Sequence, residues 1–380
     1  IPIEGLSISH FARALTGDLS MTSYICFSLI VRQRLFSLPA KRLTESFAIA
    51  GSILLTAIFF YPSSLGLGML DIYAFGFYPV VLAPIVFTVF IYCVWFDYRL
   101  PALVLAAGFS SFALGLLDSD NLWDYLIDPI IVLYAIGYVI TQRKAFHKPQ
   151  FTQEKVETGL FILIAVFLSF SVFLSRANPD AFRYLLVIED GFTEWSTVIV
   201  LIAAMVVSIA RVYRLRQARS RVFLGITCLI ALLCLFGAGE EISWGQRIFG
   251  LETPAYFQGN NAQGEIGIHN LVVEINGEAV KLNKLIFGTG LALALLIYLF
   301  VATPLYRTRR SVRSFFNQIA APMPRNVHII GYLLVIATVE LLIDSSKRGE
   351  MTEFAGAIVF ALNVMYPYNP ERFDPDTDLA

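Results

Sequence analysis

The chain has 380 residues, is 57% hydrophobic and only 15% charged, and sets 28 Lys+Arg against 29 Asp+Glu for a formal charge of −1. A soluble domain carries roughly a quarter charged residues, so this composition excludes a water-solvated globule. There is no overall basic excess to suggest a nucleic-acid partner.

Crossing a hydrocarbon core of roughly 30 Å at about 1.5 Å per residue takes a long apolar helix. In chain order, apolar runs at 19–31, 46–61, 77–96, 100–117, 126–141, 158–175, 192–210, 222–239, 284–304, 327–343 and 353–366 predict an all-α polytopic membrane protein with about eleven transmembrane helices. Alternating ten-residue strands are nearly absent, which argues against a transmembrane β-barrel. Cys26, Cys93, Cys228 and Cys234 all sit in apolar runs with no CxxC spacing, and read as core residues. Trp95, Trp123, Trp195 and Trp244 fall near run ends, where interfacial anchors are expected.

Loop charge alternates along the chain. Arg32 to Arg42, Arg99, Arg143 to Lys155, Arg211 to Arg221 and Arg307 to Arg325 carry the basic loops, which the positive-inside rule places in the cytoplasm. Most acids lie between them and face outward. The expected location is a bacterial inner membrane, with lipids and other membrane or periplasmic proteins as partners and no nucleic acid.

A nearly constant offset pairs Asp18 with Asp190, the 74–79 turn with 248–254, and the 116–121 turn with 342–347. This predicts two parallel five- or six-helix repeats. They span 1–157 and 179–366, with a linking helix at 158–178, a large outward loop at 240–283 and a loose polar tail at 367–380. A further helix ahead of Ile1 would complete a six-plus-six plan.

Polar chemistry concentrates in the second half. Glu189, Asp190 and Glu194 mark one helix mouth, and the segment Gly237 to Arg247 places Glu240, Glu241, Gln246 and Arg247 at the next. The following loop supplies Gln263, Glu265, His269 and Asn270, with Glu265 and His269 on one face if that piece is helical. Carboxylates at a membrane boundary are costly to desolvate and tend to mark a water-filled cavity or a paired network. Glu240, Glu241, Glu265 and His269 are the candidate catalytic residues. Glu241, Glu265 and His269 could instead hold a divalent metal, and loss of Glu241 would also cost stability if it pairs with Arg247. Glu340 and Asp344, four apart, form a second acidic focus, while His328 reads as a surface group.

The Glu240–Glu241 pair ahead of His269 superficially resembles the intramembrane CAAX-type proteases, but Arg247 falls outside their spacing. The run His269, Asn270, Leu271 resembles the outer loop of O-antigen ligases and polymerases, but an acid-rich face suits their pyrophosphate-bearing substrates poorly. No family is assigned, and three functions stay open. They are a membrane enzyme acting on a lipid or lipid-linked substrate, a non-catalytic subunit docking a partner through its acidic face, and a cation- or proton-coupled transporter.

Overall fold

The computed structural model describes residues 18–36, 43–67, 71–142, 152–261, 264–268, 271–275, 278–281 and 290–374. Among the described residues the chain is mainly helical, with a short antiparallel hairpin of β1 (Val272–Ile275) and β2 (Glu278–Lys281). Among the described residues, four helices are long and apolar enough to cross a membrane: Gln153–Ala177, Phe192–Leu215, Arg221–Glu241 and Leu291–Thr308. Their outward faces stay apolar, as with Leu229, Leu232 and Leu233, the surface that lipid rather than water would cover. The protein is therefore a helical membrane protein.

The chain divides into two compact units, 1–167 and 168–380. The first holds α1 (Met21–Leu35), α2 (Leu43–Ser64), α3 (Leu82–Trp95), α4 (Arg99–Ala113) and α5 (Pro129–Gln142), and the division falls within α6 (Gln153–Ala177). α2 lies along α5 through Ala50, Ile53, Ala57, Ile131 and Ala135, small and branched residues that let two backbones approach. The run at 77–96 yields only 14 helical residues, because residues 77–81 form a turn around Pro79 before α3 begins. Asp128 is 4% exposed and organises the acid-bearing end of this unit. Its carboxylate caps α5 by accepting from Ile130 N at 2.8 Å and Ile131 N at 2.9 Å, and it holds the start of α1 through the hydroxyls of Ser20 at 2.6 Å and Ser23 at 2.5 Å.

The second unit holds α7 (Phe192–Leu215), α8 (Arg221–Glu241), α9 (Leu291–Thr308), α10 (Arg310–Gln318), α11 (Asn326–Leu342) and α12 (Gly349–Met365). α7 lies along both α8 and α12, sealed by Ala204, Cys234 and Ala361 at one level and Val198, Leu201 and Ala238 at another. Under a duplication, α1, α2 and α5 would stand for α7, α8 and α12. Among the described residues, α1 packs mainly on α4.

Three expectations change here. Residues 366–374 are packed, not loose: Phe373 and Asn369 are buried, and Arg211 donates to the carbonyls of Val364 and Met365 while stacking on Phe373 at 4.4 Å. His328 is fully buried in the first turn of α11, its Nδ1 accepting from Arg325 N at 3.4 Å. Cys228 is exposed on α8, in a lipid-facing position rather than the core.

Candidate functional site

The site grows from the end of α8. After Glu241 the chain enters the left-handed region three times in succession, at Ser243 (φ 47°), Trp244 (φ 55°) and Gly245 (φ 75°). Left-handed backbone costs an L-residue about 1–2 kcal/mol, so side-chain contacts must hold the turn. The Trp244 ring folds back onto Gly239, where a Cβ would stand 2.9 Å from it. Its indole N–H donates to Glu240 Oε1 at 2.7 Å.

Glu240 and three side chains of or just after the turn, Ser243, Gln246 and Arg247, reach the segment 264–268. Glu240 Oε2 accepts from Ile268 N at 2.6 Å, and Ser243 Oγ donates to Glu265 at 2.5 Å. Gln246 accepts from Ile266 N at 2.7 Å and donates to Thr253 Oγ1 at 2.5 Å. Arg247 donates to Glu265 at 2.8 Å and also to the Asp190 carboxylate, joining the loop to the mouth of α7. Burial works against the Arg247 charge, but the hydrogen bonds and charges of Glu265 and Asp190 outweigh it and raise the guanidinium above its ordinary value.

Below this latch, the ends of three packed helices bring carboxylates together. Glu194 accepts from Asp190 N at 2.6 Å, and Asp190 itself is left-handed (φ 55°). Glu194 also feels the charges of Glu350 and Asp190, while Glu241 feels those of Glu353, Glu194 and Glu350. The Glu241 side chain has no hydrogen bond or ion pair among the described residues.

The predicted site thus separates into two parts. Glu240, Glu265, Gln246, Arg247 and Asp190 form the latch, and Glu194 and Glu241 form the acidic group. Arg247 pairs with Asp190 and Glu265, not with Glu241, because the left-handed turn carries it toward the loop. Residues 264–268 are a series of bends, so no helical face carries Glu265 toward His269. Gln263, His269 and Asn270 lie outside the described residues. Glu189 instead faces Lys347 at 3.7 Å.

Glu340 is about half exposed and pairs with Arg348 at 2.9 Å. Asp344 lies beyond the end of α11 and is exposed, so the two do not form a helical pair. Among the described residues, no three His, Cys, Asp or Glu are grouped so as to hold a metal ion, and Glu265 is already committed to Ser243 and Arg247.

Ser243, Trp244, Glu350 and Glu353 were not among the sequence candidates for the site. Gly245 in a helix-ending segment signals the turn, and the two glutamates stand in the first turns of α12, where acids also simply favour a helix start. Arg176 and Arg183 also reach the acid-bearing end, donating to Leu342 O at 2.9 Å and Ser346 Oγ at 3.3 Å. Comparison with known protein families, with curated proteins and with solved structures found no match to this chain.

Proposed function

We propose that Glu241, with Glu194, Glu350 and Glu353, is the working centre of a membrane enzyme that acts on a lipid or lipid-linked substrate at the non-cytoplasmic face of a bacterial inner membrane. The observation that carries this reading is Glu241 itself: a carboxylate at the end of an apolar helix, without a hydrogen-bond or ion-pair partner among the described residues and surrounded by like charges. An arrangement so unfavourable to stability is typical of acid–base sites. The latch holds the chain at Ile268, one residue before His269, which makes His269 the natural second proton-transfer group. A divalent metal would have to draw on His269 and these acids rather than on Glu265.

A non-catalytic subunit and a cation- or proton-coupled transporter are the competing readings. The acids gather at one end of the helices rather than midway, which weighs against transport. Alternating basic and acidic loops support about eleven crossings, while the different helix neighbours of the two units weigh against the parallel repeat.

The test compares lipids and lipid-linked glycans in cells lacking the protein and in cells restored with wild type, Glu241→Gln or His269→Ala. An enzyme predicts one lipid species that accumulates in the null and in both variants and clears with wild type. Unchanged lipids, together with a protein that co-purifies with wild type and is lost from the variants, would favour the subunit.

A further inference from the structure

The span Leu291–Thr308 is followed at once by α10, with Arg309 alone between them. α10 buries none of its residues. Val312, Phe315 and Phe316 recur at the spacing of one helix face, and Phe315 is 56% exposed. The adjacent face is tied to the span: Tyr306 Oη donates to Asn317 Oδ1 at 2.9 Å, and Arg313 donates to the carbonyls of Tyr306 at 3.3 Å and Arg307 at 2.8 Å. The helix is therefore held in a set attitude at the end of a membrane crossing, with Phe316 resting edge-on against Tyr306, Val312 half-buried and Phe315 left uncovered.

The arginines of this segment fall into two kinds. Arg307 and Arg313 serve the fold; Arg307 donates to Asn326 Oδ1 at 2.6 Å and Pro324 O at 2.9 Å and stacks over Tyr368 at 4.7 Å. Arg309 and Arg310 are exposed, and their side chains have no hydrogen bond or ion pair among the described residues. They occupy the N-cap and first position of α10, where the helix dipole disfavours a cation and an acid would be the stabilising choice. The fold gains nothing from them.

We propose that α10, with Arg309 and Arg310, is a docking face for anionic phospholipid headgroups in the leaflet at the arginine-bearing end of α9. One residue past the span, the guanidinium groups stand at headgroup depth, and Val312 and Phe315 enter the acyl boundary beside them. This is the arrangement of an interfacial helix that couples apolar burial to anionic attraction.

The test is native mass spectrometry of the full chain in detergent, titrated separately with phosphatidylglycerol, phosphatidylcholine and free glycerol phosphate. Wild type should bind phosphatidylglycerol most tightly, and the R309Q/R310Q variant should lose at least about fivefold in that affinity. Its affinity for phosphatidylcholine and its thermal midpoint should not change. Arg221→Gln, which removes an exposed arginine at the start of α8 away from any amphipathic helix, should bind phosphatidylglycerol as wild type does. Undiminished binding by R309Q/R310Q, an equal loss in Arg221→Gln, or free glycerol phosphate binding as tightly as the lipid would each overturn the proposal.

Discussion

Arg247 holds two chain segments at once, the Asp190 turn and the Glu265 loop, and with one third of its side chain exposed it contributes less than a fully buried pair would. Arg247→Gln should therefore lower stability by about 1–3 kcal/mol, read as a lower thermal midpoint, and should speed proteolysis within 250–270. A midpoint and cleavage pattern like wild type would show that the latch bears no load. The sequence supplied the residue types of the site but not their pairing. Helical spacing would align Glu340 with Asp344, but the backbone leaves α11 before Asp344; Arg247, six residues past Glu241, is carried by the left-handed turn to Asp190 and Glu265 instead. His328 was misjudged on similar grounds, since position near a helix end says little about which face is covered.

Glu240 and Glu241 are successive residues of α8 and so point about 100° apart; the turn Ser243–Gly245 then folds Trp244 and the loop onto Glu240 and leaves Glu241 among the acids. Gly245→Ala would place a Cβ at φ 75° and 3.0 Å from the Phe249 ring, a strain of about 1–2 kcal/mol. Gly239→Ala would press on Trp244 at 2.9 Å with an overpacking cost of about 1–3 kcal/mol. Thermal unfolding should rank both below wild type, and tryptophan fluorescence should shift in Gly239→Ala as the ring moves outward. A Gly239→Ala protein with unchanged fluorescence would mean that the ring does not rest there. The apolar runs marked nearly every helix of the membrane region, but their ends moved where Pro79, Asp128 or a left-handed turn set the boundary, features whose effect depends on contacts distant in sequence.

For the whole molecule, composition alone was sufficient to identify a helical membrane protein, because a chain this apolar has no other stable solvent. Orientation rests on loop charge. In a background lacking the native cysteines, an impermeant maleimide applied to intact cells should label cysteines placed at 120, 265 and 350 but not at 216. Labelling at 216 would invert the topology and move the acidic group to the cytoplasmic side. A repeat is harder to read from sequence than a span, since apolar helices with acidic ends resemble one another whether or not they share neighbours. The two adjacent glutamates give the most direct test of the proposed division between framework and working group, by measuring thermal stability and cellular lipid profile for Glu240→Gln and Glu241→Gln side by side. Glu240→Gln should lose about 1.5–3 kcal/mol as its charged hydrogen bonds to Trp244 and Ile268 weaken, whereas Glu241→Gln should be at least as stable as wild type, because it relieves like-charge repulsion, yet leave the lipid profile of the null. A Glu241→Gln protein as destabilised as Glu240→Gln, in cells with a wild-type lipid profile, would contradict the account.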